Sequence, residues 1–320
     1  MNAPLAPDLL NRQAAEIRRA RPLLGTLVEI AASGPAAKEV NEAVNRAFEA
    51  IGKVHELMSY HDPDSDVSRI NRYASAKPVS VDTHTWRVLS AARDLSEASG
   101  GLFDISIAPT LAQLGYLPRH AGFPKPSGQG CWRHVELLPD NRVRLARRLQ
   151  IDLGGIAKGY AVDLAIQVLE NSGLVSGRVN AGGDLRLFAI EPQPIHVRHP
   201  LNASQMLPLV QFCQGAVATS AGYYSARRQR GRWVTPLIHP GTRCTGETGR
   251  SVSVLAKDCM TADALTKVVH LDPGCALGVL EKLDAHAVII EQDSITGGCR
   301  LLHNEKGNWR VQLLPGFGHG

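Results

Sequence analysis

Apolar residues recur at three- and four-residue steps from Val40 through Ala43, Val44, Ala47, Ile51 and Val54 to Met58, the spacing of one stripe on an amphipathic helix. This helix begins near Pro35 and ends at the polar, proline-containing loop "SYHDPDSD". A second is expected after Asp82 or Thr83, both suited to an N-cap, with Trp86, Val88, Leu89, Ala92 and Leu95 inward and Gly100-Gly101 beyond its end. A third follows "IDLGGIAKGYAVD", carried by Ala161, Leu164, Ala165, Val168 and Leu169 and stopped by Gly173. "TADALTKVVHL" and "GCALGVLEKLDA" read as short helices.

Strand patterns lie around and between these. "LLGTLVEIAA" reads as one strand carrying a glycine, and "HVELLPDNRVRL" as a hairpin about a Pro-Asp-Asn turn. Ile151–Leu153 reads as a further strand, and "GRVNAGGDLRLFAI" as strand, glycine turn, strand. Residues 185–260 look strand-rich around the basic loop "ARRQRGR", whose bland reading is a solvated hairpin tip, and "AHAVIIEQ" reads as a closing strand. Helices cluster early and hairpins late. The expected class is therefore α+β, with mixed, largely antiparallel sheets and helices packed on them. No repeat or linker divides the chain, so residues 1–20 are expected to be a tail and 21–320 a single domain.

Composition narrows the classes. At 320 residues, 44% hydrophobic and 20% charged, the chain has material for a large buried core. A net charge of +5 suits a phosphorylated ligand and falls well short of a nucleic-acid footprint. The six cysteines are scattered without a C-x-x-C pair, as reduced thiols in a cytoplasmic protein would be. The N-terminal residues lack the apolar core of a signal peptide, and no apolar run reaches the roughly 18 residues of a membrane span. A cytoplasmic location is expected.

Candidate chemistry centres on glycine turns. In "IDLGGIAKGYAVD", amides at a glycine turn and helix N-terminus suit an anion, and Lys158 adds a full positive charge. Asp152 stands ready to hydrogen-bond a ligand or to orient the lysine. A tight strand-to-helix connection would look the same. "NAGGD" (Asn180–Asp184) is a second such turn, indistinguishable here from a polar hairpin rim. In "FDIS", Phe103 beside Asp104 suits stacking on a planar ring, or an interior position. "TADALT" sets Asp263 and Thr266 three residues apart on one helix face, hard oxygen ligands of the kind Mg²⁺ prefers, or else part of a helix cap. No histidine spacing suggests zinc.

In order along the chain, "LLGT", "MSYHDPDSDVSRIN", "GGLFDISIAPT", "IDLGGIAKGYAVD", "VNAGGDLRL", "VATSAGYY" and "TADALTKVV" resemble the ApbE family of FAD:protein FMN transferases, from about Leu23 to Val269. The resemblance implies a Mg²⁺-dependent enzyme that moves FMN from FAD to a Thr or Ser hydroxyl of a partner flavoprotein and releases AMP. It implies that Asp152 and Lys158 contact FAD, with Leu24, His61, Leu102, Phe103, Asp104, Asn180, Gly182, Gly183 and Leu237 around it. It implies that the metal lies near Gly155, on Asp263 with Thr266, and that catalysis draws on Asp263, Lys158 and Lys267. Three departures touch this site. Lys267 stands where the family usually has a threonine, "TSAGYY" lacks a carboxylate, and "TPLIHP" puts Pro236 in place of a histidine and His239 in place of an aspartate. Either Lys267 turns away from the metal, or its ammonium supplies part of the metal's charge. The alternatives are an FAD-binding protein with impaired or lost transfer, and an FAD pyrophosphatase.

Overall fold

A computed structural model describes residues 15–199, 205–229, 231–246, 249–292 and 299–314. The chain opens with a hairpin, β1 (Ala15–Leu23) and β2 (Thr26–Gly34), followed by α1 (Ala37–Met58), α2 (Asp66–Tyr73), β3 (Val79–Ser80) and α3 (Thr83–Ala98). A short 3₁₀ turn (Ile105–Ile107) leads into α4 (Ala108–Gln113), and a hairpin of β4 (Val135–Leu138) and β5 (Arg142–Leu145) joins β3. Then come α5 (Ala157–Asn171), β6 (Ser176–Ala181), β7 (Asp184–Arg198), β8 (Met206–Ala221) and the helical turn α6 (Gly222–Ser225). A small hairpin, β9 (Arg227–Gln229) and β10 (Arg232–Val234), precedes β11 (Arg250–Ala256), α7 (Cys259–Leu271) and α8 (Pro273–Lys282). β12 (His286–Gln292), β13 (Cys299–Glu305) and β14 (Asn308–Leu314) complete the described chain.

The expected α+β class is the one observed. One 9-stranded sheet runs β1-β2-β6-β7-β8-β11-β12-β13-β14, each neighbour antiparallel to the next. Three helices cover one of its faces, α1 against β1 and β2, α5 against β6 and β7, and α7 against β8 and β11. Alternation decides which strand residues meet them: Val28, Ile30, Val179, Ala181, Ala218 and Val252 point to the helices and are fully buried. The α1 stripe read from the sequence is buried along its whole length. Each fully buried branched side chain there contributes about 1.5–3 kcal/mol relative to exposure.

Several expectations are met to the residue. Asp82 caps α3, accepting from the His84 amide at 2.8 Å. Asp140 and Asn141 both take positive φ, 58° and 52°, in the turn between β4 and β5, as a tight hairpin requires. Others are corrected. "LLGTLVEIAA" is not one strand, because Leu24 and Gly25 (φ 55° and 70°) turn the chain back between β1 and β2. Of the segment read as a tail, 1–14 lies outside the described residues and 15–20 belongs to β1. Ile151–Leu153 forms no strand and joins no sheet. "AHAVIIEQ" does not close the sheet, since β13 and β14 continue it. Among the described residues, no helix is long and apolar enough to cross a membrane.

Candidate functional site

The glycine turn before α5 is held by side chains where a strand would use a ladder. Asn71, at the end of α2, donates to the Ile151 carbonyl at 2.9 Å and accepts from its amide at 2.7 Å, with the pair fully enclosed. The Asp152 amide donates to the Ile105 carbonyl at 2.9 Å. Asp66, in the same acidic motif as Asn71, is buried and accepts from the Asp82 amide and the Thr85 hydroxyl, both at 2.8 Å. That motif therefore builds the platform beneath the turn.

Two recesses flank the turn. Gly154 opens on a cleft of 440 Å³ whose walls include Leu24, Tyr60, His61, Ala157 and Lys158. Gly155 opens on a smaller recess of 40 Å³ bordered by Leu102, Phe103, Asp104, Pro236, Leu237 and Lys267. Asp152 borders both. The turn thus has an ammonium on either side.

Beneath it lie two buried carboxylates. Asp184, at the start of β7, forms an ion pair with Lys158. Asp263, on α7 and with no exposed surface, forms one with Lys267, and its Oδ2 lies 3.7 Å from Lys158 Nζ. The Gly159 amide also donates to that Oδ2, at 3.1 Å. Burial would raise Asp263, but the Lys158 and Lys267 ammoniums outweigh it and hold the carboxyl below its ordinary range. Burial and the neighbouring Asp263 charge push Asp184 above its range, against the pull of both lysines. Burial would depress Lys158, and the two carboxylates more than reverse that, raising it well above an ordinary lysine. The cluster thus sets two lysine side chains against two buried carboxylates.

The structure brings together most of the residues expected around the site, with roles that differ in detail. Both oxygens of Asp104 accept from backbone amides, Ser106 at 2.7 Å and Trp132 at 3.1 Å, so it shapes the recess as a cap. The Thr266 hydroxyl is buried and donates to the Asp263 carbonyl at 2.7 Å, turned into its own helix. Asn180, Gly182 and Gly183 border neither recess; they line a separate groove on the sheet face away from the helices. Asn180 closes its own turn by accepting from the Gly183 amide at 3.0 Å. Asp184 of the same motif, absent from the expected site residues, is the one that reaches Lys158. Its signal was a carboxylate closing a glycine turn. His239 accepts through Nδ1 from the Gly241 and Thr242 amides at 3.1 and 3.3 Å, the turn-closing work of an aspartate at that position.

Mg²⁺ does not fit the groups as they stand. Asp263 is engaged by two ammoniums and an amide, Thr266 is turned away, and no cluster of three or more His, Cys, Asp or Glu suited to a metal occurs among the described residues.

Asp152 carries a measurable consequence. Burial pushes its carboxyl up to about 6, partly offset by the Gly154 and Leu153 amides. Between its ordinary value and about 6 the folded state binds more protons than the unfolded state, so stability falls as pH rises through that window and is flat above it. Asp152→Asn should match wild type near pH 4 and be more stable by about 1–3 kcal/mol at pH 7.5. Urea unfolding at the two pH values checks this, and an equal difference at both would refute it.

Most of the chain has clear relatives. The model of the ApbE family matches residues 24–290. The FAD:protein FMN transferase of Vibrio cholerae is 28% identical over 242 residues, 71% of this chain and 72% of that protein. The FAD:protein FMN transferase of Treponema pallidum is 28% identical over 294 residues, 82% and 81% of the two chains. The crystal structure of the ApbE protein of Thermotoga maritima superposes with a TM-score of 0.76 at 28% identity, covering 90% of this chain and 96% of that one.

Proposed function

The chain belongs to the ApbE family, and from that premise we propose that it is an FAD:protein FMN transferase. The acceptor is a threonine or serine hydroxyl of a partner flavoprotein, and the by-product is AMP. The observation that carries this reading is the pair of ammoniums, Lys158 and Lys267, set on either side of one glycine turn. A dinucleotide's pyrophosphate carries two negative charges, and breaking it requires charge neutralisation on both phosphates.

In the proposed step the acceptor oxygen bonds to the flavin-side phosphorus. The bond from that phosphorus to the bridging oxygen breaks, and AMP leaves with its electron pair. The hydroxyl proton passes to Asp152, which borders both recesses and whose carboxyl titrates near 6, and from there to solvent. Lys158 and Lys267 keep their protons and supply charge alone. Fixed positioning of the two partners does most of the remaining work. The divalent cation implied by the family resemblance finds no vacant ligand set among these groups. Cys131, Cys213, Cys244, Cys259 and Cys275 are free thiols, which supports a cytoplasmic location as part of the same reading.

The test is incubation of the purified chain with FAD and a panel of flavin-acceptor domains, followed by assay for AMP and for covalent flavin fluorescence on the acceptor. Both products are expected. AMP with free FMN would identify a pyrophosphatase, and bound FAD with neither product a binding protein.

A further inference from the structure

We propose that the Lys267 ammonium takes the place of a divalent cation on Asp263, so that this chain binds FAD and transfers FMN without a metal ion. The inference rests on the flavin-transfer reading and specifies its cation. Lys267 lies one helical turn after Asp263 on α7, where side chains four apart meet. Its Nζ holds Asp263 Oδ1 and also donates to the Asp263 carbonyl at 2.8 Å. The other carboxylate oxygen is already occupied by the Gly159 amide.

The lysine is built into the site. Its Cε lies 3.6 Å from the point where a Cβ on Gly155 would stand, and Phe103 closes the same spot at 3.7 Å. The lysine stem thus packs beside Gly155 and Phe103, and the Lys267 side chain, one-fifth exposed, borders the recess. The charge sum points the same way. Lys158 and Lys267 balance Asp184 and Asp263, so a divalent ion entering the cluster would meet two ammoniums and no uncompensated carboxylate. Low-dielectric surroundings make that repulsion strong. With a neutral side chain at 267 the cluster would carry one net negative charge, the condition in which Asp263 becomes a cation ligand. In the transfer step Lys267 neither gains nor loses a proton: the acceptor oxygen–phosphorus bond forms, the bond to AMP breaks with its electron pair, and the ammonium stabilises the charge on the phosphates.

The experiment measures FAD affinity of the full chain by flavin fluorescence in EDTA and in saturating MgCl₂, with Mn²⁺ binding followed by electron paramagnetic resonance. Wild type is expected to bind FAD equally well, within about twofold, in both buffers and to hold no Mn²⁺. Lys267→Thr should lose about tenfold or more in affinity in EDTA, regain it in MgCl₂ and acquire bound Mn²⁺. Lys267→Arg, which keeps the charge, should still bind FAD in EDTA. Magnesium raising wild-type affinity about tenfold or more, or Mn²⁺ held by wild type with FAD, would overturn the inference while leaving the transferase reading intact. Lys267→Thr matching wild type in EDTA would overturn it too. No FAD binding by wild type in either buffer would instead bring down the flavin reading beneath it. The wild-type comparison stands whether or not a variant folds.

Discussion

Lys158→Met is expected to lose flavin transfer by about 10²–10³-fold and to lose stability in a manner that depends on pH. The ammonium it removes is the direct partner of Asp184, whose side chain is 3% exposed, and the second partner of Asp263. Lys267 still holds Asp263, so the uncompensated charge falls chiefly on Asp184. Removing one partner of a buried pair costs about 3–5 kcal/mol, because the remaining charge has neither water nor counter-ion. Asp184 is already pushed above its ordinary range by burial and Asp263, with Lys158 opposing. Without that opposition its carboxyl rises further. A carboxyl raised in the folded state favours folding at low pH, and that advantage is lost as pH climbs through the interval up to its folded value. The deficit relative to wild type should therefore be larger at pH 8 than at pH 5, because a carboxyl raised further takes up its proton more readily as pH falls. Urea unfolding of both proteins at the two pH values decides the matter. A deficit of the same size at both would mean that Asp184 keeps its charge for some reason other than Lys158.

That ion pair shows where sequence patterning stops. The helices were legible because burial on one side leaves a 3.6-residue signature, and α1, α3 and α5 carry it plainly. β1 carries none. Its "IRRARP" stretch lies at the sheet edge, largely exposed, and no alternation marks it. The Leu24-Gly25 turn is hidden because apolar residues continue on both sides of it. "EKGNW" between β13 and β14 does hold a turn signal, with Lys306 and Gly307 both at positive φ, so that hairpin was available to a closer reading. The site divides the same way. The glycine turns, the lysine and Asp263 stood out as local motifs. What each motif does depends on partners far along the chain: Asn71 reaches Ile151 across 80 residues, and Lys158 reaches Asp184 across 26. "NAGGD" is the clearest case. Ala181 pairs with Asp184 in register, and both face the helices, whereas Asn180 is one residue away and faces the opposite side. A two-residue period splits one motif between two surfaces, and no local pattern says which half carries the site.

Gly159→Ala is expected to be the most damaging small substitution in the chain. A Cβ there would stand 2.3 Å from the Cys259 carbonyl oxygen, 2.6 Å from its carbon and 2.7 Å from Met260 Cα. All three are backbone atoms, so no side-chain rotation relieves the overlap, and α5 and α7 must move apart. That contact carries the site. The Gly159 amide holds Asp263 at 3.1 Å, and Asp163, one turn further on, caps α7 by accepting from the Cys259 and Met260 amides at 2.8 Å each. Helix propensity alone would favour alanine over glycine by about 1 kcal/mol. Overpacking against rigid backbone should outweigh it, for a net loss of about 3 kcal/mol or more. Gly52 supplies the control, since it lies inside α1 with nothing within 4 Å of its would-be Cβ. Gly52→Ala should therefore stabilise the protein by about 0.5–1 kcal/mol. Opposite signs for the two substitutions in urea unfolding, with FAD affinity falling only in Gly159→Ala, are the expected result. Two gains of similar size would mean that the helices do not meet at Gly159, and that the Lys158–Asp263 geometry built on their contact is wrong with it.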